Sequence, residues 1–502
     1  MWLRDPAPRV QRRRGRRPAG SDQLDGAIRA SSFEQAVGLT VATRGMQTMT
    51  TKGTHMNTQG RIMTMTSRRR ALPALGLAAT MLFAACSSSS KSATTSAAGS
   101  TAASTASTTS AGGATTAVTT APTPVDPLGT PNKATGTPIK IPFAYDGKTQ
   151  TVDTSGDLGA AKAAAGYVND YLGGIAGHPI ELDACESQQQ PATAQQCVNN
   201  WIAAKPVMVL GDTSGVVDSF AKGISEAGIP QLWVSAASVI LITSPTANIM
   251  GNVLATNYAA PAKLAKDAGA TEAVELTLDT PAAVDPANQL MVPVFKNVGI
   301  KLSVVAIPPG TADMTPQVQA AIANNPGLVH ITGNDTFCIS AMQALRSLNY
   351  EGKIVLIGQC QSDAFNKTLK GKLAGVVLST GFSKDPADPE VALYQAVMKK
   401  YSPDTDANGT VAYGGYASVV GLARAMKGLS GDVTSASIIS QFKAMAPATM
   451  PLASTLTFKC DRTAVSFAPP FCTLGNLGTT LDADGKPSAY TPIDITGLLK
   501  LG

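Results

Sequence analysis

The chain runs to 502 residues, enough for two or three lobes of ordinary domain size, and is 44% hydrophobic, 15% charged and poor in aromatics. Its formal charge of +6 is unevenly spread: residues 1–85 hold 14 Lys and Arg against 4 Asp and Glu, and the remaining 26 basic and 30 acidic residues leave the body at −4. A mildly acidic body excludes nucleic acid as its partner.

The first element in chain order is a leader. Residues 1–62 include "RDPAPRVQRRRGRRP", which has no apolar periodicity and cannot form a core. Arg68, Arg69 and Arg70 then precede an apolar run of 15 residues, Ala71–Ala85. That run is shorter than the roughly 20 residues a spanning helix needs, so it reads as the h-region of a signal peptide over 63–85 rather than as a transmembrane anchor. Met63 and Met65 lie just ahead of the arginines. Translation is therefore expected to start near Met56–Met65, with 1–62 a start-site artefact; the alternative is a disordered basic arm. The join "LFAAC" (82–86) resembles the lipobox of bacterial lipoproteins, with Phe83 where that motif usually has Leu. The resemblance implies that Cys86 carries a lipid and becomes the first mature residue, and each buried acyl methylene stabilises anchoring by about 0.8 kcal/mol.

A linker follows. Of the 39 residues 87–125, 36 are Ser, Thr, Ala, Gly or Pro. Such a chain buries nothing, and a tether extending to residue 136 reaches roughly 40 Å. The folded body begins near Thr137. Strands are expected at 138–145, 178–185, 207–211, 229–235, 272–279, 301–310, 327–333 and 353–358. Helices are expected at 157–172, 193–204, 216–228, 261–269, 288–299, 315–325, 338–349, 389–400 and 412–427. Short apolar strands alternating with helices predict an α/β fold with parallel sheets, in two successive sets. The expected division is 137–256 and 381–450 for a first lobe, 257–380 and 451–502 for a second.

Beyond Cys86 there are six cysteines, an even number that suggests disulfides in an exported chain. Pairing sequence neighbours gives Cys185–Cys197, Cys338–Cys360 and Cys460–Cys472, each within one supersecondary unit, although 15 pairings are open to six cysteines. No close cysteine pair or cysteine–histidine cluster favours a metal. There is no GxSxG, HExxH, P-loop or GxGxxG, and no cofactor is expected. His178 and His330 read as structural. An SxxK at Ser440–Lys443 has no KTG partner.

The chain instead reads as a binder. "GDTSG" (211–215) and "SAAS" (235–238) each follow a strand and precede a helix, where free hydroxyls and amides could hold a carboxylate or other anion. Each is also what an ordinary Ser or Thr N-cap looks like. "GYVNDYLGGIAGHPIEL" (166–182), "AGIPQLWVSAAS" (227–238), "IPPGTADMTPQVQAA" (307–321) and "YASVVGLARAM" (416–426) together resemble the branched-chain amino-acid-type substrate-binding proteins of ABC transporters, a periplasmic binding protein type 1 family. The resemblance implies two Rossmann-like lobes joined by a three-strand hinge and closing on a small ligand, with no catalysis. It carries the ligand contacts onto Thr213, Ser214, Ala237 and Ser238, with Tyr145 as cleft wall. In the second lobe it points to "GND" (333–335) and "GQCQ" (358–361). Cys360 and Gln361 stand where the family usually has an acidic residue for the ammonium, which leaves Asp335 as the candidate cation partner. The expected ligand is an amino acid or a related amide or carboxylate. The expected partners are a permease and an ATPase, and the expected state is a lipid-anchored, extracytoplasmic monomer. A ligand sensor of the same fold and an exported hydrolase are the alternatives.

Overall fold

The computed structural model of the protein describes residues 126–149, 153–212, 214–236, 238–409 and 411–499. The leader, Cys86 and residues 87–125 of the linker lie outside the described residues, as do Thr213 and Ala237.

The first sheet is parallel and contains β1 (Ile139–Tyr145), β2 (Ile180–Glu186), β3 (Val209–Gly211), β4 (Gln231–Trp233) and β5 (Ala247–Ile249), in the order β2-β1-β3-β4-β5. Every residue of β3, β4 and β5 is buried, so these strands show no alternation of exposed and buried positions, and the polar Gln231 and Asn248 are buried with the rest. The connections are helical: α1 (Ser155–Tyr171), α2 (Pro191–Ala204), α3 (Val217–Glu226) and the short α4 (Val239–Thr243).

The chain then leaves for a second sheet through a π-helical turn at 254–259 and α5 (Ala260–Asp267). There follow β6 (Glu272–Leu278), α6 (Pro281–Pro286), α7 (Val292–Asn297), β7 (Lys301–Ile307), α8 (Thr315–Ala321), β8 (Leu328–Thr332), α9 (Asp335–Ser347), β9 (Lys353–Ile357), α10 (Asp363–Thr368) and β10 (Val377–Thr380). The single helix expected over 288–299 is instead an irregular stretch from Pro281, with a second π-helical turn at 287–291 between α6 and α7. Pro286 and Pro293 each lack an N–H, so the ladder rearranges around them.

The chain returns to the first lobe as α11 (Pro389–Tyr401), α12 (Ala412–Ala425) and α13 (Ser435–Ala444). A hairpin of β11 (Ala448–Met450) and β12 (Ala453–Phe458) also buries its apolar side chains in the first core. Finally β13 (Leu477–Thr480) and β14 (Thr491–Pro492) add antiparallel strands to the second sheet, whose order is β14-β13-β10-β9-β8-β6-β7. His330 and Glu275 face each other across β8 and β6, both buried, with Nδ1 2.5 Å from the carboxylate.

Helix α1 packs against α12, and small residues make this approach possible. Ala160, Ala161, Ala163 and Ala164 of α1 are fully buried, and a Cβ on Gly415 of α12 would lie 1.9 Å from the carbonyl oxygen of Asp157. Arg424 of α12 grips Glu390 of α11 and donates to the carbonyl of Thr449, fixing the return segment to the hairpin. Three stretches of chain cross between the sheets. Asn252 donates to the Thr473 carbonyl at 2.8 Å, and Ser379 donates to the Thr256 carbonyl at 2.5 Å. Ile249 exchanges backbone bonds with the 470–472 segment. The crossings are thus bonded to one another, and both side-chain donors are buried.

The six cysteines form Cys185–Cys197, Cys338–Cys360 and Cys460–Cys472, with Cα separations of 6.2, 5.5 and 4.3 Å. The second joins the first turn of α9 to the turn after β9 (358–360) and so fastens together two loops at the carboxyl edge of the second sheet. Replacing both Cys338 and Cys360 by Ala is expected to lower stability by about 3 kcal/mol, read as a reduced urea midpoint with an unchanged signal at zero urea.

Candidate functional site

In an open α/β sheet, ligands bind beyond the carboxyl ends of the strands, where the strand order reverses. In the first sheet that reversal falls between β1 and β3. Tyr145 ends β1 there, and Asp146 follows it. Tyr145 is buried, its hydroxyl donates to Glu186 at 3.3 Å, and burial with the Glu186 charge pushes its pKa up to about 12. Gly147 comes next at φ +74, a left-handed conformation that favours glycine, and it packs against the Glu186 side chain.

Asp146 is the centre of this edge. Its carboxylate is 3% exposed and accepts four hydrogen bonds. Ser187 and Ser214 donate their hydroxyls to Oδ1 at 2.7 and 2.6 Å, and the Gly215 N–H and the Gln189 amide donate to Oδ2 at 2.8 and 3.3 Å. The 211–215 loop therefore does hold a carboxylate with a hydroxyl and an amide, and that carboxylate is the chain's own. The next loop behaves alike: Ser238, the N-cap of α4, accepts from the Leu241 N–H and gives its hydroxyl proton to Asp218.

Two further carboxylates lie against the first turn of α12. A Cβ on Gly414 would fall within 1.8 Å of Asp212, just beyond β3, and one on Gly415 within 2.5 Å of Asp157 Oδ1. Asp157 is 1% exposed, and its Oδ1 has no hydrogen-bond partner. Burial and the neighbouring charges of Asp212 and Asp146 push its carboxyl well above the usual range, against a hydrogen bond from the Gly415 backbone.

In the second lobe Asp335 opens α9. It accepts from the Thr336 N–H and from the hydroxyl of Ser362, which follows β9. Gln361 is buried, and its amide is bonded to the Gly485 carbonyl at 3.1 Å. Asp335 and Gln361 thus stand on neighbouring loops of one edge, whereas Tyr145, Ser214 and Ser238 stand on the edge of the other sheet.

Lys384 connects the two edges. It lies on the 381–388 crossover between β10 and α11 and is half-buried. Its Nζ donates to the Gln361 carbonyl at 2.9 Å in the second lobe and stands 5.3 Å from the ring centroid of Tyr413, on α12 of the first. Burial lowers its pKa to about 8, and the charges of Asp363 and Asp406 act in the opposite sense. Tyr413, Gly414 and Gly415 are consecutive, so Lys384, Asp212 and Asp157 meet the same turn of α12. The carboxyl edges of both sheets therefore adjoin one another at the crossover.

Asp146, Asp157, Asp212 and Lys384 were not among the residues singled out from the sequence. Asp146 adjoins Tyr145 and Asp212 lies inside the GDTSG stretch, and those adjacencies are the signals the sequence carried. Ser440 and Lys443 of the SxxK are exposed on α13, outside this region. Among the described residues no group of three or more His, Cys, Asp and Glu is suited to a metal ion, and no helix is long and apolar enough to cross a membrane.

Two α/β lobes, linked by bonded crossovers and meeting along their carboxyl edges, define a two-lobed solute-binding protein. A family model described as periplasmic binding protein matches residues 138–467, and the chain belongs to that family. No curated protein matches the chain by sequence. Among solved structures it is similar to a branched-chain amino acid transporter substrate-binding protein from Streptococcus pneumoniae in complex with isoleucine, with 18% identity, TM-score 0.55, and coverage of 71% of this chain and 99% of that one. It is also similar to a fatty acid ABC transporter substrate-binding protein from Thermomonospora curvata (16% identity, TM-score 0.59, 73% and 95%). A third is an ABC transporter solute-binding protein from R. palustris in complex with 4-hydroxybenzoate (15% identity, TM-score 0.58, 71% and 96%). The TM-scores, at identities this low, establish the shared fold alone.

The buried Asp157 carboxyl yields a test with a defined sign. Because its folded pKa lies above its unfolded one, the fold favours the neutral form. The stability it contributes is present at low pH and is lost as pH rises towards the folded value. Asp157→Asn keeps the neutral state at every pH. It is expected to melt higher than the parent at pH 7, with the difference shrinking towards pH 4 in calorimetry.

Proposed function

We propose that this protein is a lipid-anchored, extracytoplasmic receptor that captures a small solute between its lobes and delivers it to the permease and ATPase of an ABC importer. The observation that supports the reading is the contact of Lys384 with both the Gln361 carbonyl and the Tyr413 ring, which joins the carboxyl edges of the two sheets. Closing such a cleft removes water, so each hydrogen bond to a ligand strengthens, and the closed state is favoured only by contacts it alone makes. The lobes move about the crossovers near 250–256, 381–388 and 459–476. Cys86 is the anchor, the 86–136 segment the tether, and the receptor acts as a monomer.

The solute is an amino acid or a related amide or carboxylate. Isoleucine, fatty acid and 4-hydroxybenzoate, the solutes named for the three similar structures, share a carboxyl group, which supports the acid end of that range. A thermal-shift screen of the full chain with leucine, isoleucine, octanoate, 4-hydroxybenzoate, acetamide and urea tests the reading. At a hundredfold excess over Kd, binding stabilises by about 2.7 kcal/mol, so a bound solute gives a clear rise in melting temperature. No rise with any solute, together with ester hydrolysis lost in Ser440→Ala, would establish the hydrolase instead.

A further inference from the structure

We propose that Lys384 is the residue that takes the carboxylate of the ligand, a role moved from the loops of the first lobe to the crossover because the chain's own Asp146 and Asp218 take the Ser214, Gly215 and Ser238 donors there. The inference rests on the receptor reading and names the contact within its cleft. Its first support is the state of the loop donors. The Ser214 hydroxyl and the Gly215 N–H are both given to Asp146, and the Ser238 hydroxyl is given to Asp218. A ligand carboxylate arriving there would displace a buried carboxylate that accepts four hydrogen bonds, and two anions cannot share those donors.

The second support is the state of the lysine. An ammonium has three donor directions. One is used on the Gln361 carbonyl, and among the described residues no carboxylate lies within the 4.0 Å of an ion pair with Nζ. A partly desolvated ammonium with unused donors favours an anion in direct contact. Its position on the crossover, touching a carbonyl in the loop after β9 of one lobe and a ring of the other, lets a bound carboxylate join the lobes.

The groups facing Lys384 are Asp363 at the start of α10, Asp406 in the loop between α11 and α12, Tyr413 of α12, and Tyr490, which its backbone meets; Asp385 follows it in the chain. Burial holds the Tyr413 hydroxyl well above its ordinary value and pushes that of Tyr490 up to about 12, so neither tyrosine changes charge near pH 8. Asp363 and Asp406 flank the ammonium from both lobes, an arrangement suited to a ligand whose cationic group lies beside its carboxylate.

The test uses the full chain and acid–amide pairs: leucine with leucinamide, octanoate with octanamide, 4-hydroxybenzoate with 4-hydroxybenzamide. Affinities are measured by calorimetry for the parent, Lys384→Met and Lys384→Arg. The expected result is an acid that binds at least tenfold more tightly than its amide, loses at least tenfold in Lys384→Met, and is largely restored in Lys384→Arg. The parent's affinity for that acid should also fall about tenfold between pH 7 and pH 9, as the free ammonium loses its proton. This arm needs no variant to fold. Binding that is equal in Lys384→Met, flat across that pH range, or stronger for the amide overturns the proposal and leaves the receptor standing. Failure of the parent to bind any of the six probes overturns this proposal and counts against the receptor reading as well.

Discussion

The carboxylate of Asp146 is the constraint around which the first lobe's edge is organised. It follows β1, yet its four donors come from the loop after β2 and the loop after β3. A buried carboxylate is costly unless nearly every lone pair is met, so three loops distant in sequence are held in one arrangement at the point where the sheet reverses. The same contact that orders the loops also fills them. That changes what the edge can offer a ligand: among the described residues, the Ser214 and Ser238 hydroxyls and the Gly215 N–H, ordinarily the makings of an anion cradle, are already committed.

Charge on the rest of the edge follows from how closely the helices approach. Alanines on α1 and glycines on α12 bring the helices close enough that Asp157 and Asp212 lie against one helical turn. The partial positive charge of that helix end stabilises carboxylates, but burial and mutual repulsion still push Asp157 up. Lys384 reaches the same turn from the crossover and brings the one basic side chain described at this junction into a setting lined by acids. Bonded crossovers keep these groups together while leaving the two sheets as separate bodies, which is the arrangement a hinge requires.

Much of this architecture was legible in the sequence. The strands β1, β6, β8 and β9 are short, largely apolar stretches bounded by turns, and α1, α9 and α12 are rich in small and apolar residues that the fold buries, so local pattern and tertiary packing agree. The three disulfides join sequence neighbours because two span one strand–helix unit each and Cys460–Cys472 closes the irregular loop after β12. Less visible were β5, β10 and β13, which are three or four residues long and owe their state to neighbours rather than propensity. In the site, the positions of Tyr145, Ser214 and Ser238 were readable from strand ends, but the direction of their hydrogen bonds was not. Ser214 turns to Asp146, 68 residues away, and no local pattern encodes that. Lys384 sits in "GFSKDPADPE", which reads as an ordinary polar connection before a Pro-initiated helix, and only the fold shows that it passes between two lobes.

The central claim is that two lobes close on a solute. Pulsed electron–electron spin resonance between labels at Gln188 and Thr336, exposed positions near the carboxyl edges of the first and second sheets, tests it most directly. A saturating solute is expected to shorten and narrow the inter-label distance distribution relative to the solute-free protein. An identical distribution with and without a demonstrably bound solute would contradict it.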